Sequence, residues 1–176
     1  MKTNITLTGY MGTGKTIVGQ ALAEKLNMNL VELDWFIEQE AGMSIPEIFT
    51  KEGEIGFRER EIAAVKKIAG EKSCVIACGG GIVLNRINID RLKESSVIVY
   101  LTATPKTILK RVSGEAGQRP LLEAEDRLKT IKEMLKYRRP YYERAAEITV
   151  NTSRLSVDAV AEKIIAGLKE YEGFNI

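Results

Sequence analysis

Five short β-prone, apolar runs punctuate the chain, at residues 5–8, 30–33, 73–78, 97–101 and 147–150. Between them apolar residues recur every three or four positions, as in Ile17, Val18, Ala21, Leu22 and Leu26, which is the period of an amphipathic helix. The spacing predicts helices over residues 15–26, 56–69, 106–112, 125–137 and 157–170. Val97, Ile98, Val99, Tyr100 and Leu101 form an almost unbroken apolar run, which suits a strand covered on both faces. Strand and helix alternate, and that order predicts an α/β fold. Its centre is a mostly parallel five-stranded sheet, flanked by helices and joined by right-handed crossovers. No repeat, low-complexity tract or linker interrupts the pattern, so the 176 residues read as one domain.

Two stretches do not fit simple crossovers. Ser44, Pro46 and Glu47 read as an N-cap, a first-turn proline and a capping-box acid. They start a helix near Ile45, after another over residues 35–40, and so predict an inserted helical subdomain over about residues 34–60. The second stretch, about residues 113–124, carries Gly114, Gly117, Arg119 and Pro120 between two helices. A polar, glycine-bearing loop of this length predicts a lid.

Composition narrows the chemistry. The chain has no histidine, which removes histidine-based triads and histidine metal sites. Cys74 and Cys78 share one apolar run; four apart on a strand they lie about 13 Å from each other, too far for a disulfide. A net charge of +2 gives no argument for a nucleic-acid or membrane partner. No apolar run is long enough to span a bilayer, and Met1, Lys2 and Thr3 lead directly into the first strand. The expectation is a cytoplasmic protein without a signal peptide.

The first strand runs into Gly9-Tyr10-Met11-Gly12-Thr13-Gly14-Lys15-Thr16, and a helical pattern follows. G-x-x-x-x-G-K-T between strand and helix is a phosphate-binding loop. Its glycines let successive backbone N–H groups face one phosphate chain, and the helix N-terminus adds positive potential. Lys15 reaches the β- and γ-phosphates, and the Thr16 hydroxyl ligates Mg²⁺. Contacts to a nucleoside triphosphate are expected from Gly12, Thr13, Gly14, Lys15, Thr16 and Ile17. The three-layer fold is therefore of the P-loop NTPase type.

A phosphoryl acceptor belongs at the carboxyl ends of the strands, beside this loop. Glu32 and Asp34 close the second predicted strand, where residues two apart share a face. Two carboxylates there could hold Mg²⁺ through water and orient a hydroxyl. Gly79, Gly80 and Gly81 follow the third strand. Such a run carries a large entropic cost, which close backbone approach to a ligand would explain. Arg58 and Glu61, three apart on one helix face, could form a preorganised fork for a carboxylate.

Together these residues resemble the shikimate kinase family over essentially the whole chain. Arg58-x-x-Glu61, Val65 and the run from Val75 through Gly79, Gly80, Gly81 to Val83 match its signature spacing. Asp34, Arg119-Pro120-Leu121-Leu122 and Arg138-Arg139-Pro140-Tyr141-Tyr142 match further landmarks. The resemblance implies phosphoryl transfer from MgATP to the 3-hydroxyl of shikimate, in a chain that needs to be no more than a monomer. It implies Arg58 and Arg138 as a carboxylate clamp, with Glu61 holding Arg58. Asp34 would read the ring hydroxyls near the reacting one, and the amides of Gly79, Gly80 and Gly81 another. Phe49 and Phe57 match the family's apolar wall, with ordinary core as the alternative. Arg119 would bring charge to the transferring phosphoryl group from the lid, opposite Lys15. Lys110 or Arg111, and Arg154 within residues 151–155, would lie against adenine. Many members carry aspartate where this chain has Glu32; the longer acid still suits an ion held through water. A gluconate or nucleoside monophosphate kinase and a silent nucleotide-binding module are the rival readings.

Overall fold

A computed structural model describes residues 1–113 and 126–174. Five strands, β1 (Asn4–Thr8), β2 (Asn29–Glu32), β3 (Cys74–Ala77), β4 (Ser96–Thr102) and β5 (Ile148–Asn151), form one sheet in the order β2-β3-β1-β4-β5. Every pairing is parallel. The helices are α1 (Lys15–Leu26), α2 (Leu33–Ala41), α3 (Ile45–Ile68), α4 (Arg86–Ser95), α5 (Pro105–Val112), α6 (Arg127–Ala145) and α7 (Val157–Glu170), with one 3₁₀ turn at Ile82–Leu84. Among the described residues no helix is long and apolar enough to cross a membrane.

Strand alternation sorts the core onto two faces. Ile5, Leu7, Val75, Val97, Val99 and Leu101 pack against α1 and α7. Cys74, Ile76, Cys78, Ile98 and Tyr100 lie in the opposite cluster, with side chains from α2, α3, α4 and α6. Both cysteines are buried and free. Covering both faces is why the strands read as continuous apolar runs.

Three departures from the sequence reading matter for the site. The second strand ends at Glu32, and α2 begins at Leu33. Asp34 therefore projects from the first turn of a helix, and the shared strand face expected for Glu32 and Asp34 does not exist. Leu33 and Ile37, four apart, are both buried, so helical packing decided between two readings of a short apolar run. Next, α6 continues through Pro140 to Ala145. Burial of Tyr142 and Ala145 offsets the lost N–H donor. Last, α4 was not singled out by the sequence pattern.

The capping box at Ser44 is present: Ser44 Oγ accepts from the Glu47 N–H and Glu47 Oε2 accepts from the Ser44 N–H. The helix it starts breaks at Gly53 (φ 71°, ψ −173°), so α3 is two helical segments meeting at one residue. The proposed lid, residues 113–124 with Arg119, falls almost wholly outside the described residues. Ser44→Ala should cost about 1 kcal/mol, read as a lower midpoint in urea denaturation.

Candidate active site

Parallel register brings three loops to one edge of the sheet. Leu7 and Glu32 both lie opposite Ala77, from the two sides of β3. Beyond these rungs come the 9–14 loop, the start of α2 and the 79–81 glycines. Cys78 N–H donates to the Leu7 carbonyl (3.1 Å), closing the ladder between the first and third of them.

The phosphate loop depends on three glycines with positive φ, Gly9 (145°), Gly12 (72°) and Gly14 (97°). Gly14 is the N-cap of α1, which has neither a side-chain cap nor an acidic residue in its first turn. Its leading N–H groups and dipole are thus left for an anion. Lys15 Nζ donates to the carbonyls of Gly9 (2.8 Å) and Tyr10 (3.0 Å), which pins the ammonium across the loop. Thr16 and Ile17 are exposed on the first turn. Thr13 is fully buried, and its hydroxyl donates to the Tyr10 carbonyl (2.7 Å). Its side chain braces the loop, so only its backbone could meet phosphate.

Beside the loop lies a cleft of about 280 Å³ lined by Gly14, Ile17, Arg111, Thr152 and Leu155, among others. Arg111 is fixed by bonds to the Gly12 carbonyl (3.0 Å) and to the hydroxyl (2.9 Å) and carbonyl (2.8 Å) of Thr152. Thr152 Oγ1 also donates to the Thr13 carbonyl (2.9 Å). Arg154 is exposed and outside this lining, and Leu155 stands there instead. Lys110 is also exposed.

The glycine triplet meets three charged side chains. A Cβ on Gly79 would lie 2.8 Å from Asp34 Oδ1, and one on Gly81 2.8 Å from Arg58 Nη2. A Cβ on Gly80 would come within 3.5 Å of both Arg138 Nη1 and the Gly9 carbonyl of the phosphate loop. Asp34, Arg58 and Arg138, brought from α2, α3 and α6, therefore converge on one stretch of backbone next to the phosphate loop. A Cβ at Gly79 or Gly81 would push the Asp34 carboxylate or the Arg58 guanidinium from its present place.

Each arginine has a built support. Arg58 Nη1 donates to both oxygens of Glu61 (3.2 and 3.1 Å), and Glu61 is 1% exposed. Asn88 Nδ2, from α4, donates to Glu61 Oε1 (3.2 Å). Arg138 lies over the Tyr10 ring (5.9 Å to the centroid). Tyr142, one helical turn after Arg138, donates from its hydroxyl to the Gly80 carbonyl (2.5 Å). Phe57 is buried and stacks on the partly exposed Phe49 at 4.8 Å; Arg58 lies 5.2 Å from the Phe57 ring centre. The pair is thus core on one side and wall on the other.

Glu32 is half-buried and Thr16 exposed. Among the described residues no group of three or more carboxylates, cysteines or histidines could hold a metal ion. A hydroxyl and one acid instead suit Mg²⁺, which keeps most of its water and takes phosphate oxygens.

The sequence reading assigned no role to Tyr142 or Asn88. Arg138 and Tyr142 are four apart, the helical neighbour spacing, but the expected helix ended at residue 137, short of both. Asn88 sits on the helix that was not singled out, and its partner Glu61 is 27 positions away.

A family model described as shikimate kinase matches residues 11–169. The chain is 46% identical to the shikimate kinase of Caldanaerobacter subterraneus subsp. tengcongensis, covering 97% of this chain and 98% of the other. It is 44% identical to that of Pelotomaculum thermopropionicum, covering 96% of each. A solved shikimate kinase from Acinetobacter baumannii, in complex with shikimate, matches with a TM-score of 0.91 at 36% identity, covering 98% and 96% of the two chains.

Burial pushes the Glu61 carboxyl above its ordinary value of 4.5, against the pull of Arg58. The folded chain then binds this proton more tightly than the unfolded chain does. The group's contribution to stability therefore falls as pH rises from 4.5 through its raised value. Denaturation curves across that range should show Glu61→Gln gaining on the wild type as pH rises. A constant difference would mean that Glu61 titrates as an ordinary exposed acid.

Proposed function

The chain belongs to the shikimate kinase family, and from that we propose that it transfers the γ-phosphoryl group of MgATP to the 3-hydroxyl of shikimate, releasing ADP and shikimate 3-phosphate. The observation that carries this reading is the convergence of Asp34, Arg58 and Arg138 on the glycine triplet beside the phosphate loop. An anionic, hydroxyl-bearing ring needs a cationic clamp and a hydroxyl reader side by side. The site supplies both at the place where a γ-phosphate on the loop would point.

Transfer through a loose transition state leaves the protein alignment and charge neutralisation rather than covalent chemistry. In this reading Arg58 and Arg138 bind the carboxylate of shikimate, and the 79–81 amides meet a ring hydroxyl. Asp34 accepts from the reacting hydroxyl and points its oxygen at phosphorus; it takes the proton as the new P–O bond completes. Lys15 swings from its backbone carbonyls onto the β- and γ-oxygens, and Arg119 adds charge from segment 114–125. Phe49 gives the ring an apolar face. The cleft of Ile17, Arg111 and Leu155 takes the adenosine end. Thr16, with Glu32 through water, would hold Mg²⁺, which neutralises charge on the phosphate oxygens when bound. All these residues come from one chain, so a monomer suffices.

ADP release should be stimulated by shikimate and not by gluconate or nucleoside monophosphates. Stimulation by either alternative, or nucleotide binding without acceptor-dependent turnover, overturns the assignment. Arg58→Ala removes a charge-assisted pair, and should weaken shikimate by about 10- to 150-fold with little change in the KM for ATP. Equal losses for both substrates would remove Arg58 from the clamp.

A further inference from the structure

Asn88 is fully buried on α4, outside every motif that marks the acceptor pocket. Its hydrogen bond from Nδ2 goes to Glu61 Oε1, an oxygen that also accepts from Arg58 Nη1. A carboxylate only accepts, so the amide must present Nδ2 to Glu61 and turn Oδ1 away. That Oδ1 is buried without a hydrogen-bond partner among the described residues. An apolar side chain of the same size would leave no orphaned oxygen. The polar contribution Asn88 makes is therefore the N–H it directs at Glu61.

We propose that Asn88 is a positioning residue for the acceptor clamp: it holds the Glu61 carboxylate in the plane that aims Arg58 at the carboxylate of the acceptor. The proposal rests on the reading of Arg58 as that clamp. Arg58 Nη1 alone sits nearly equidistant from the two Glu61 oxygens, a contact that leaves the carboxylate free to rotate. A second donor at Oε1 removes this freedom. It also favours the ionised acid in a place where burial opposes it. The groups facing Glu61 are Arg58 from α3, Asn88 from α4, Asp34 from α2 and the Cys78 thiol after β3. Among the described residues, only Arg58 and Asn88 favour its charge.

The test uses Asn88→Leu, close in volume and without donors, in steady-state kinetics with MgATP and shikimate. Asn88→Ser replaces it if the leucine variant does not fold. The chain's single tryptophan, Trp35, follows Asp34 and is 60% exposed, so its fluorescence reads shikimate binding apart from turnover. The KM and Kd for shikimate should rise about five- to thirtyfold, with kcat and the ATP KM within about twofold. Loss of the Asn88 N–H raises the proton affinity of Glu61, and a protonated Glu61 releases Arg58. The defect should therefore deepen as pH falls towards the raised carboxyl value of Glu61. On a Glu61→Gln background, Asn88→Leu should add less than about twofold. Parallel rises in both KM values that follow a lowered Tm, a full second penalty on that background, or unchanged kinetics would each overturn the proposal. Wild-type chain without shikimate-dependent ADP release would overturn the acceptor reading and this proposal with it. Normal wild-type turnover beside an unaffected Asn88→Leu overturns this proposal alone.

Discussion

The last rung between β1 and β3 governs the geometry of everything above it. Leu7 lies opposite Ala77, and the Cys78 N–H closes onto the Leu7 carbonyl. Two residues after Leu7 the phosphate loop begins, and two after Ala77 the glycine triplet begins. Parallel strands leave the sheet in the same direction, so both loops emerge at one edge and meet, Gly80 against the Gly9 carbonyl. A slip of one residue in this pairing would turn the buried side chains of β3 to the other face. Two binding half-sites can share one reaction centre only because the sheet holds their origins a strand spacing apart.

On that base the site is assembled from helices that arrive from different parts of the chain. Each supplies one charge, and each arginine has partners around it: Glu61 and Asn88 under Arg58, Tyr10 and Tyr142 around Arg138. Ionised groups near a dry core are costly unless they are paired and hydrogen-bonded. Glu61 shows that tension directly, since burial opposes its charge while Arg58 and Asn88 favour it. The result is a set of charges held in place by the fold, and in the proposed role as a clamp this preorganisation lowers the ordering cost of binding.

Where the local pattern misread the chain, a tertiary contact had intervened. Residues 30–33 looked like a strand to their end, yet Leu33 and Ile37 bury one face of a helix and carry Asp34 onto it. The helical pattern reads only to residue 137, but Tyr142 and Ala145 gain enough burial for α6 to continue through Pro140. Arg58, Gly79, Gly80 and Gly81 stand out in the sequence by type and spacing, whereas Arg138 stands out only through the family resemblance.

Local chemistry was enough for the phosphate loop. Its glycines, lysine and threonine are contiguous, and their geometry depends on φ, a helix start and one preceding strand. The α/β alternation was equally open to reading, because strand and helix periods are properties of short windows. The pairing of Asn88 with Glu61, and the meeting of Arg138 with Tyr10, had no such local trace. Those contacts span 27 positions in one case and separate layers of the fold in the other. They exist only once the sheet order has put α3 beside α4 and α6 beside the phosphate loop, since a buried hydrogen bond or ring contact requires packing from all sides.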